Sequence, residues 1–460
     1  MLQTLRRAWG VPELRHKLLV VLFILAIYRI GAVIPVPFVA SNVADSFAES
    51  FGDTIFSYMS ILSGGALEQA TLFALGVSPY ITASIVLQLL TVAFPKLGER
   101  AKNGEEGKQF INKWTRIVTV ILAVVTAIGY YILLARNGML VADASFVGAK
   151  TSLWILYAIT IVICFCAGAA LIMWLAEKIN ENGLGNGISL ILFFNIICAL
   201  PNTIIQLVTV CNVGFRNGVG QGIGALGLTL FVVLGLLAMV FFIVFITGSE
   251  RRIPVQYAKR VVGRKMYGGQ STNLPLQLNM SGVMPVIFAS SLVSLPSTIM
   301  VLCGVTAASK GFWGVVYKIF DPNWWIYPIL LFVLIIAFAY FYITISFNPV
   351  EVSNNLKKNG GMIPGIRQGR PTAEYIAKIL SKITLMGALF LSVIAILPII
   401  VRPLVLEPAL AAIGSTTLSS LAASFTFGGT SILIVVGIAL ETYREIEAQL
   451  TMRNYKGFLS

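Results

Sequence analysis

Few side chains in this sequence are equipped for chemistry. His16 is the single histidine of 460 residues and stands beside Lys17 near the N-terminus. One imidazole supplies neither a metal cluster nor a Ser-His-Asp constellation. Cys164 and Cys166 are spaced C-x-C with no histidine or second pair nearby, and Cys198, Cys211 and Cys303 also fall in or beside apolar stretches. Buried packing is the expectation for all five. No G-x-x-x-x-G-K-[ST] occurs, which argues against nucleotide hydrolysis at a P-loop. Gly183, Gly185 and Gly187, with Asn182 and Asn186, share only spacing with a nucleotide loop and follow no strand. They read as a flexible approach to a helix. The expectation is no enzyme, no cofactor and no metal.

The elements that must carry these residues are apolar. Hydrophobic residues make up 57% of the chain and charged residues 11%, against roughly 25% charged in soluble domains. Stretches near the roughly 20 residues a spanning helix needs are expected at about 18–35, 70–94, 117–135, 152–176, 187–210, 222–246, 281–303, 324–345, 379–401 and 425–442. The first is no cleavable signal peptide, because Arg29 and Ile34-Pro35-Val36-Pro37 replace a small-residue cleavage site. Most of the 33 lysines and arginines cluster on one side. These include Arg6, Arg7, Arg15 and Lys17, then Lys96 to Arg116, and later the loops at 248–275 and 347–375. The positive-inside rule makes that side, and both termini, cytoplasmic. The predicted fold is an all-α integral membrane protein, one channel-like domain over 1–460. Its ten transmembrane helices form two pseudo-symmetric inverted halves of five, 1–213 and 214–460.

Ionisable residues are nearly missing from the spans. Arg29 and Glu441 sit near span ends, and Gln88, Asn195 and Gln206 are the main uncharged polar residues inside. These three either touch a substrate or hydrogen-bond between helices. Ion-coupled transport normally places charge at mid-span, so the pattern favours a passive path powered from elsewhere.

The segment Ile55–Phe94 is apolar for forty residues but interrupted by Gly64-Gly65 and Ser78-Pro79. Non-helical backbone at membrane depth survives only where protein covers it or it lines a wet cavity. Val77 and Ile81 lie four residues apart, as do Ile188 and Leu192, each pair just past a glycine. Such pairs share a helix face and would close a pore by dewetting, although aliphatic pairs of this spacing recur in every span. The loops 248–275 and 347–375 exceed ordinary connections. Topology alone accounts for their charge; their length points to docking of an acidic cytoplasmic partner.

Several long motifs carry a family resemblance. They are SGGALEQATLFALGVSPYITASIVLQLL (Ser63–Leu90), ENGLGNGISL (Glu181–Leu190), RRIPVQYAKR (Arg251–Arg260), QSTNLPLQLNMSGVMPVIFASS (Gln270–Ser291), MIPGIRQGRPTAEYI (Met362–Ile376) and FGGTSILIVV (Phe427–Val436). Together the chain resembles the SecY/Sec61-alpha family of protein-conducting channels over nearly its whole length. The resemblance implies a ten-helix channel that passes unfolded secretory polypeptides and releases transmembrane segments sideways into lipid. It implies a plug over about 55–67, with Ile55, Tyr58, Ile61, Leu62, Ser63, Gly64, Gly65 and Leu67. It implies a pore ring of Val77, Ile81, Ile188, Leu192, Ile287 and Ile434, and a lateral gate with Ser84, Gln88 and Asn279 as polar members. Docking of the SecA ATPase and the ribosome falls to Arg251, Arg252, Lys259, Arg260, Arg367 and Arg370. Gln368 stands where the family usually has proline, which predicts a less rigid loop tip. Implied partners are the small subunits SecE and SecG, SecA, the ribosome, secretory chains with their signal sequences, and membrane lipids. The implied location is the bacterial plasma (inner) membrane. The rival reading, an inverted-repeat secondary transporter of a small solute, predicts mid-span charge and no large docking loops. The sequence shows the reverse.

Overall fold

The computed structural model describes residues 2–40, 43–51, 55–101, 104–141, 154–257, 260–262, 265–267, 271–302, 312–322, 324–412 and 419–456. Helices dominate. The N-terminal part runs α1 (Leu2–Trp9), α2 (Pro12–Gly31), α3 (Val43–Phe51), α4 (Ile55–Leu62), α5 (Ser78–Ala93), α6 (Pro95–Ala101), α7 (Gly104–Arg136), α8 (Trp154–Asn182), α9 (Gly187–Asn217) and α10 (Val219–Thr247). Then come β1 (Glu250–Tyr257), β2 (Arg260–Val262), β3 (Lys265–Tyr267) and β4 (Ser271–Gln277). The chain continues with α11 (Met284–Leu302), α12 (Phe312–Ile319), α13 (Ile326–Ser346), α14 (Pro349–Lys358), β5 (Gly361–Met362) and α15 (Arg370–Val401). A π-helical turn, Arg402–Leu406, leads into α16 (Glu407–Ala412), and α17 (Ser419–Lys456) closes the described part.

Among the described residues, seven helical runs are long and apolar enough to cross a membrane, and eight if α5 and α6, bent by 111°, count as one. Their outward faces carry large apolar side chains such as Phe241, Phe245, Leu237 and Ile329. That surface suits lipid and would be untenable in water. The chain is a membrane-spanning, mainly helical protein.

The structure departs from the sequence-based fold in three places. First, all-α is too simple: β1 pairs antiparallel with β4 and β5 in a three-stranded sheet, and β2 with β3 in a hairpin. The reason is legible afterwards in Glu250–Tyr257, where Ile253 and Val255 alternate inward between exposed neighbours. They join Leu276, Ile363, Ile376 and Ile383 in a small core, so the described parts of the loops 248–275 and 347–375 form one body. Second, the expected helix at 70–94 begins only at Ser78. Residues 63–77 run through tight turns, with Gly64, Gly65 and Gly76 at φ of 68°, 86° and 56° and Ala70 at 44°. Third, a short helix, α3, stands between the first two expected spans, where no element was expected.

The turn segment 63–77 has its backbone satisfied by neighbours, as burial requires. Leu72 N donates to Ile34 O at 2.9 Å and Val36 N to Ala70 O at 3.2 Å. Tyr130 Oη donates to Leu67 O at 2.5 Å. α8 passes so close that a Cβ on Gly168 would lie 1.8 Å from Leu72 O. Around this segment α5 contacts α7 and α11, while α17 packs on α9, α10 and α15.

The glycine run before α9 is a helix cap. Asn186 Oδ1 accepts from Ile188 N at 3.1 Å, and Asn180 Oδ1 from Gly187 N at 2.7 Å. That is capping chemistry, and the element before α9 is the helix α8, not a strand. Cys164, Cys166, Cys198 and Cys211 carry free thiols; Cys303 lies outside the described residues.

Candidate functional site

Two cavities meet at one layer of aliphatic side chains. The first, about 60 Å³, is lined by Met59, Leu62 and Ser63, by Gly76 and Val77, and by Ser290, Ser294 and Thr298 of α11. The second, about 130 Å³, is lined by Ser84 and Gln88 of α5, Asn186, Ile188, Phe288 and Tyr342. Ile81, Leu192 and Ile287 line both, so they form the partition. Ile434 lines the first cavity.

Each partition residue arrives from a different helix. Ile81 is one turn into α5, whose start is fixed by Pro79 and by the Val77 carbonyl accepting from Ile81 N at 3.0 Å. Leu192 is held by the Asn186 cap of α9, Ile287 lies in the first turn of α11, and Ile434 in the middle of α17. Val77, Ile81, Leu192, Ile287 and Ile434 are 3%, 5%, 2%, 5% and 1% exposed and belong to one continuous core. Ile188 is half-buried against it. Val77 is the residue before α5 rather than part of its helical face. A layer with no polar side chain disfavours water.

The segment expected to plug the path borders the first cavity. Leu62 and Ser63 line it, and Ile61 is part-buried in the adjoining core. Ser63 Oγ donates to Ser60 O at 2.9 Å and accepts from Leu67 N at 3.1 Å. Phe56 packs between Phe47 and Phe51 of α3, ring centroids 6.2 and 5.6 Å away. The side chains of Ile55 and Tyr58 lie outside the described residues.

The residues expected at a lateral gate divide. Ser84 and Gln88 come together, Gln88 Nε2 donating to Ser84 Oγ at 3.2 Å. Asn279 does not join them: it is 6% exposed, accepts from Ser281 Oγ at 3.4 Å and lies beside Gly387 of α15. Of the residues expected to dock partners, Arg251 and Arg252 are exposed on β1 and Arg367 and Arg370 are exposed after β5. Arg370 Nε is 3.0 Å from Glu374 Oε1, and Arg252 Nε a loose 3.9 Å from Glu250 Oε2. Lys259 and the side chain of Arg260 lie outside the described residues. Gln368 Nε2 donates to Gly361 O at 3.2 Å. The side chain standing where the family has proline therefore ties the loop to β5, which supplies a restraint the sequence reading did not foresee.

Sequence reasoning missed the hydroxyl row of α11. Ser290, Ser294 and Thr298 face the first cavity, each donating to a carbonyl one turn back at 3.0, 2.9 and 2.7 Å. Their spacing of four was readable. It also missed Phe288 and Tyr342, which carry no signal distinguishing them from other buried aromatics.

Comparison with known proteins fits this geometry. The SecY family profile matches residues 71–443. Protein translocase subunit SecY of Streptomyces galbus is 43% identical over 462 residues, covering 100% of both chains. The SecY subunit of Mycobacterium bovis is 41% identical over 455 residues, covering 97% of each. Among solved structures, a protein-conducting channel aligns at TM-score 0.60 and 17% identity over 94% of this chain and 92% of its own. A structure described by the statement that the plug domain of the SecY protein stabilises the closed state of the translocation channel and maintains a membrane seal aligns at 0.61 and 18%, with the same coverage. A profile over most of the chain and full-length relatives above 40% identity lead to one conclusion: the chain belongs to the SecY family.

Proposed function

We propose that the chain is the central, non-enzymatic channel of a protein translocase, closed in the state described. The observation that carries this reading is the partition of Ile81, Leu192 and Ile287 between two cavities, with a short helix beside it. Aliphatic contact is non-directional, so such a layer would fit around a passing chain without reading its sequence. It would exclude ions at rest. Membership in the SecY family supports the same reading and leaves the solute-transporter alternative without support.

In this reading the chain spans the membrane ten times. α2 and α17 complete the apolar runs already counted, in inverted halves of five with both termini cytoplasmic. Val77, Ile81, Ile188, Leu192, Ile287 and Ile434 form the ring, and the segment from Ile55 to Leu67 is the plug. Ser84 and Gln88 line the lateral exit between α5 and α11, with Asn279 on the far side of that boundary. The exposed arginines of the β1–β5 body offer charge-assisted contacts to a cytoplasmic ATPase such as SecA or to ribosomal RNA. SecE and SecG are the expected small membrane partners, and the bacterial plasma membrane the expected location. The solved relatives include a Sec61 channel on a ribosome at TM-score 0.56, which is consistent with that docking face.

The test is deletion of Ile55–Leu67 in the assembled complex. Resting ion conductance rises while the complex still assembles. Conductance equal to the parent's would remove the sealing role.

A further inference from the structure

The short helix α4 ends inside the protein, and the last carbonyls of any helix lack intrahelical partners. Met59 O, Ser60 O and Ile61 O accept from Ser63 N, Gly65 N and Gly64 N of the turn that follows. Leu62 O, and Gly64 O just past the helix end, are served by two neighbouring helices. Asn195 of α9 donates Nδ2 to Leu62 O at 2.8 Å and to Tyr28 Oη at 2.8 Å. Arg29 of α2 donates Nη1 to Gly64 O at 3.0 Å. Tyr28 and Asn195 are 0% and 1% exposed. A cation at a helix C-terminus also meets the negative end of the helix dipole. All these bonds from outside go to main-chain oxygen or to each other, so no plug side chain takes part. Gly64 completes the fit. Its φ is 68°, and a Cβ there would lie 3.1 Å from Asn195 Oδ1 and 3.4 Å from Arg29 Nη1. Asn195 Oδ1 has no hydrogen-bond partner among the described residues, and it faces that glycine.

Resting on the reading of α4 as a plug, we infer that Tyr28, Arg29 and Asn195 are a latch that holds α4 closed by its C-terminal carbonyls. They are positioning residues: the seal is made elsewhere, and the latch sets how often the segment leaves. Departure frees the carbonyls of Leu62 and Gly64 to water but takes Leu62 O from Asn195, which keeps only Tyr28, and Gly64 O from Arg29, and that loss is what holds the segment in place.

The experiment uses the full chain in its membrane complex, with Cys164, Cys166, Cys198, Cys211 and Cys303 replaced and Ile61→Cys introduced. The labelling rate of that cysteine by a membrane-impermeant thiol reagent reports displacement of α4. Asn195→Leu keeps the side-chain size and removes both donors. Gly64→Ala attacks the latch from the plug side and leaves the sequence of both neighbouring helices unchanged, which covers the case in which Asn195→Leu fails to assemble. Each raises the labelling rate by roughly tenfold, the equivalent of one lost buried hydrogen bond. Arg29→Lys retains more of the parent's slow labelling than Arg29→Met. Labelling at the parent rate in both Asn195→Leu and Gly64→Ala would overturn the latch. Ion leak read in parallel separates the two readings. Faster labelling without leak keeps the latch and refutes the sealing role. Leak on deletion of Ile55–Leu67, with unchanged labelling in the latch variants, refutes the latch alone.

Discussion

Ile81→Ala tests whether the partition is the seal. The side chain is 5% exposed and borders both cavities. Truncation to alanine removes three carbons, about 2.4 kcal/mol at about 0.8 kcal/mol per buried methylene, before any cavity penalty. Those contacts exist only while Ile81 meets Leu192 and Ile287, so the loss falls on the closed arrangement. The closed-to-open equilibrium then shifts by up to about 50-fold, at 1.4 kcal/mol per decade. Ile85→Ala is the matched control: Ile85 lies one turn along α5, is 3% exposed and lines neither cavity. It loses the same atoms and a similar packing energy. The assay is resting conductance of the purified complex in planar bilayers, with thermal stability measured beside it. Ile81→Ala leaks and Ile85→Ala does not, although both lose stability. Equal leak from the two, or none from Ile81→Ala, would mean that general packing and not the partition keeps the path shut.

Gly168→Ala places a Cβ 1.8 Å from Leu72 O, a backbone atom that cannot step aside. It destabilises by about 2 kcal/mol or more, read as a lower inactivation temperature of the complex; an unchanged temperature contradicts the close approach of α8. Arg444 reaches from α17 to Gln277 Oε1 at 2.6 Å and Thr247 O at 2.5 Å, stapling both roots of the β1–β4 hairpin. Arg444→Met removes two charge-assisted bonds, each about 1.5–3 kcal/mol, and speeds tryptic cleavage at Arg251 and Arg252. Cleavage at the parent rate would show the hairpin is held without it. Arg367→Glu impairs motor-driven export more than membrane insertion; equal export by variant and parent takes Arg367 out of the docking face.

How much of this was readable depends on the kind of signal. Long apolar runs mark α7 to α10 and α15, because burial in lipid leaves a one-dimensional hydropathy trace, but polar helical turns beyond the apolar stretch were missed: α7 begins at Gly104 rather than 117 and α15 at Arg370 rather than 379. The interruptions at Gly64-Gly65 and Ser78-Pro79 were visible for the same reason: positive φ and helix starts are local properties. The β1–β4 sheet was hidden, since the arginines of Glu250–Tyr257 mask its two-residue alternation and its core partners, Ile363 and Ile376, come from a distant loop. The partition was nameable from family motifs but not from periodicity, as Val77 and Ile81 look like every other aliphatic pair. Asn195 was noticed as an in-span polar residue. Its two partners, Tyr28 and the Leu62 carbonyl, lie more than 130 positions away, a distance no local pattern bridges. Asn279 went the other way: motif position put it with Ser84 and Gln88, and packing put it against α15.

The central claim is that a polypeptide passes between Ile81, Leu192 and Ile287. Site-directed crosslinking tests it most directly, with the five native cysteines removed and a single cysteine at Ile81 or Ile287, probed by a stalled secretory chain. The account predicts a crosslink that requires both a signal sequence and a driving cytoplasmic partner, and none from Ile85→Cys. No crosslink at Ile81 or Ile287 despite normal partner binding would contradict it and place the path elsewhere in the protein.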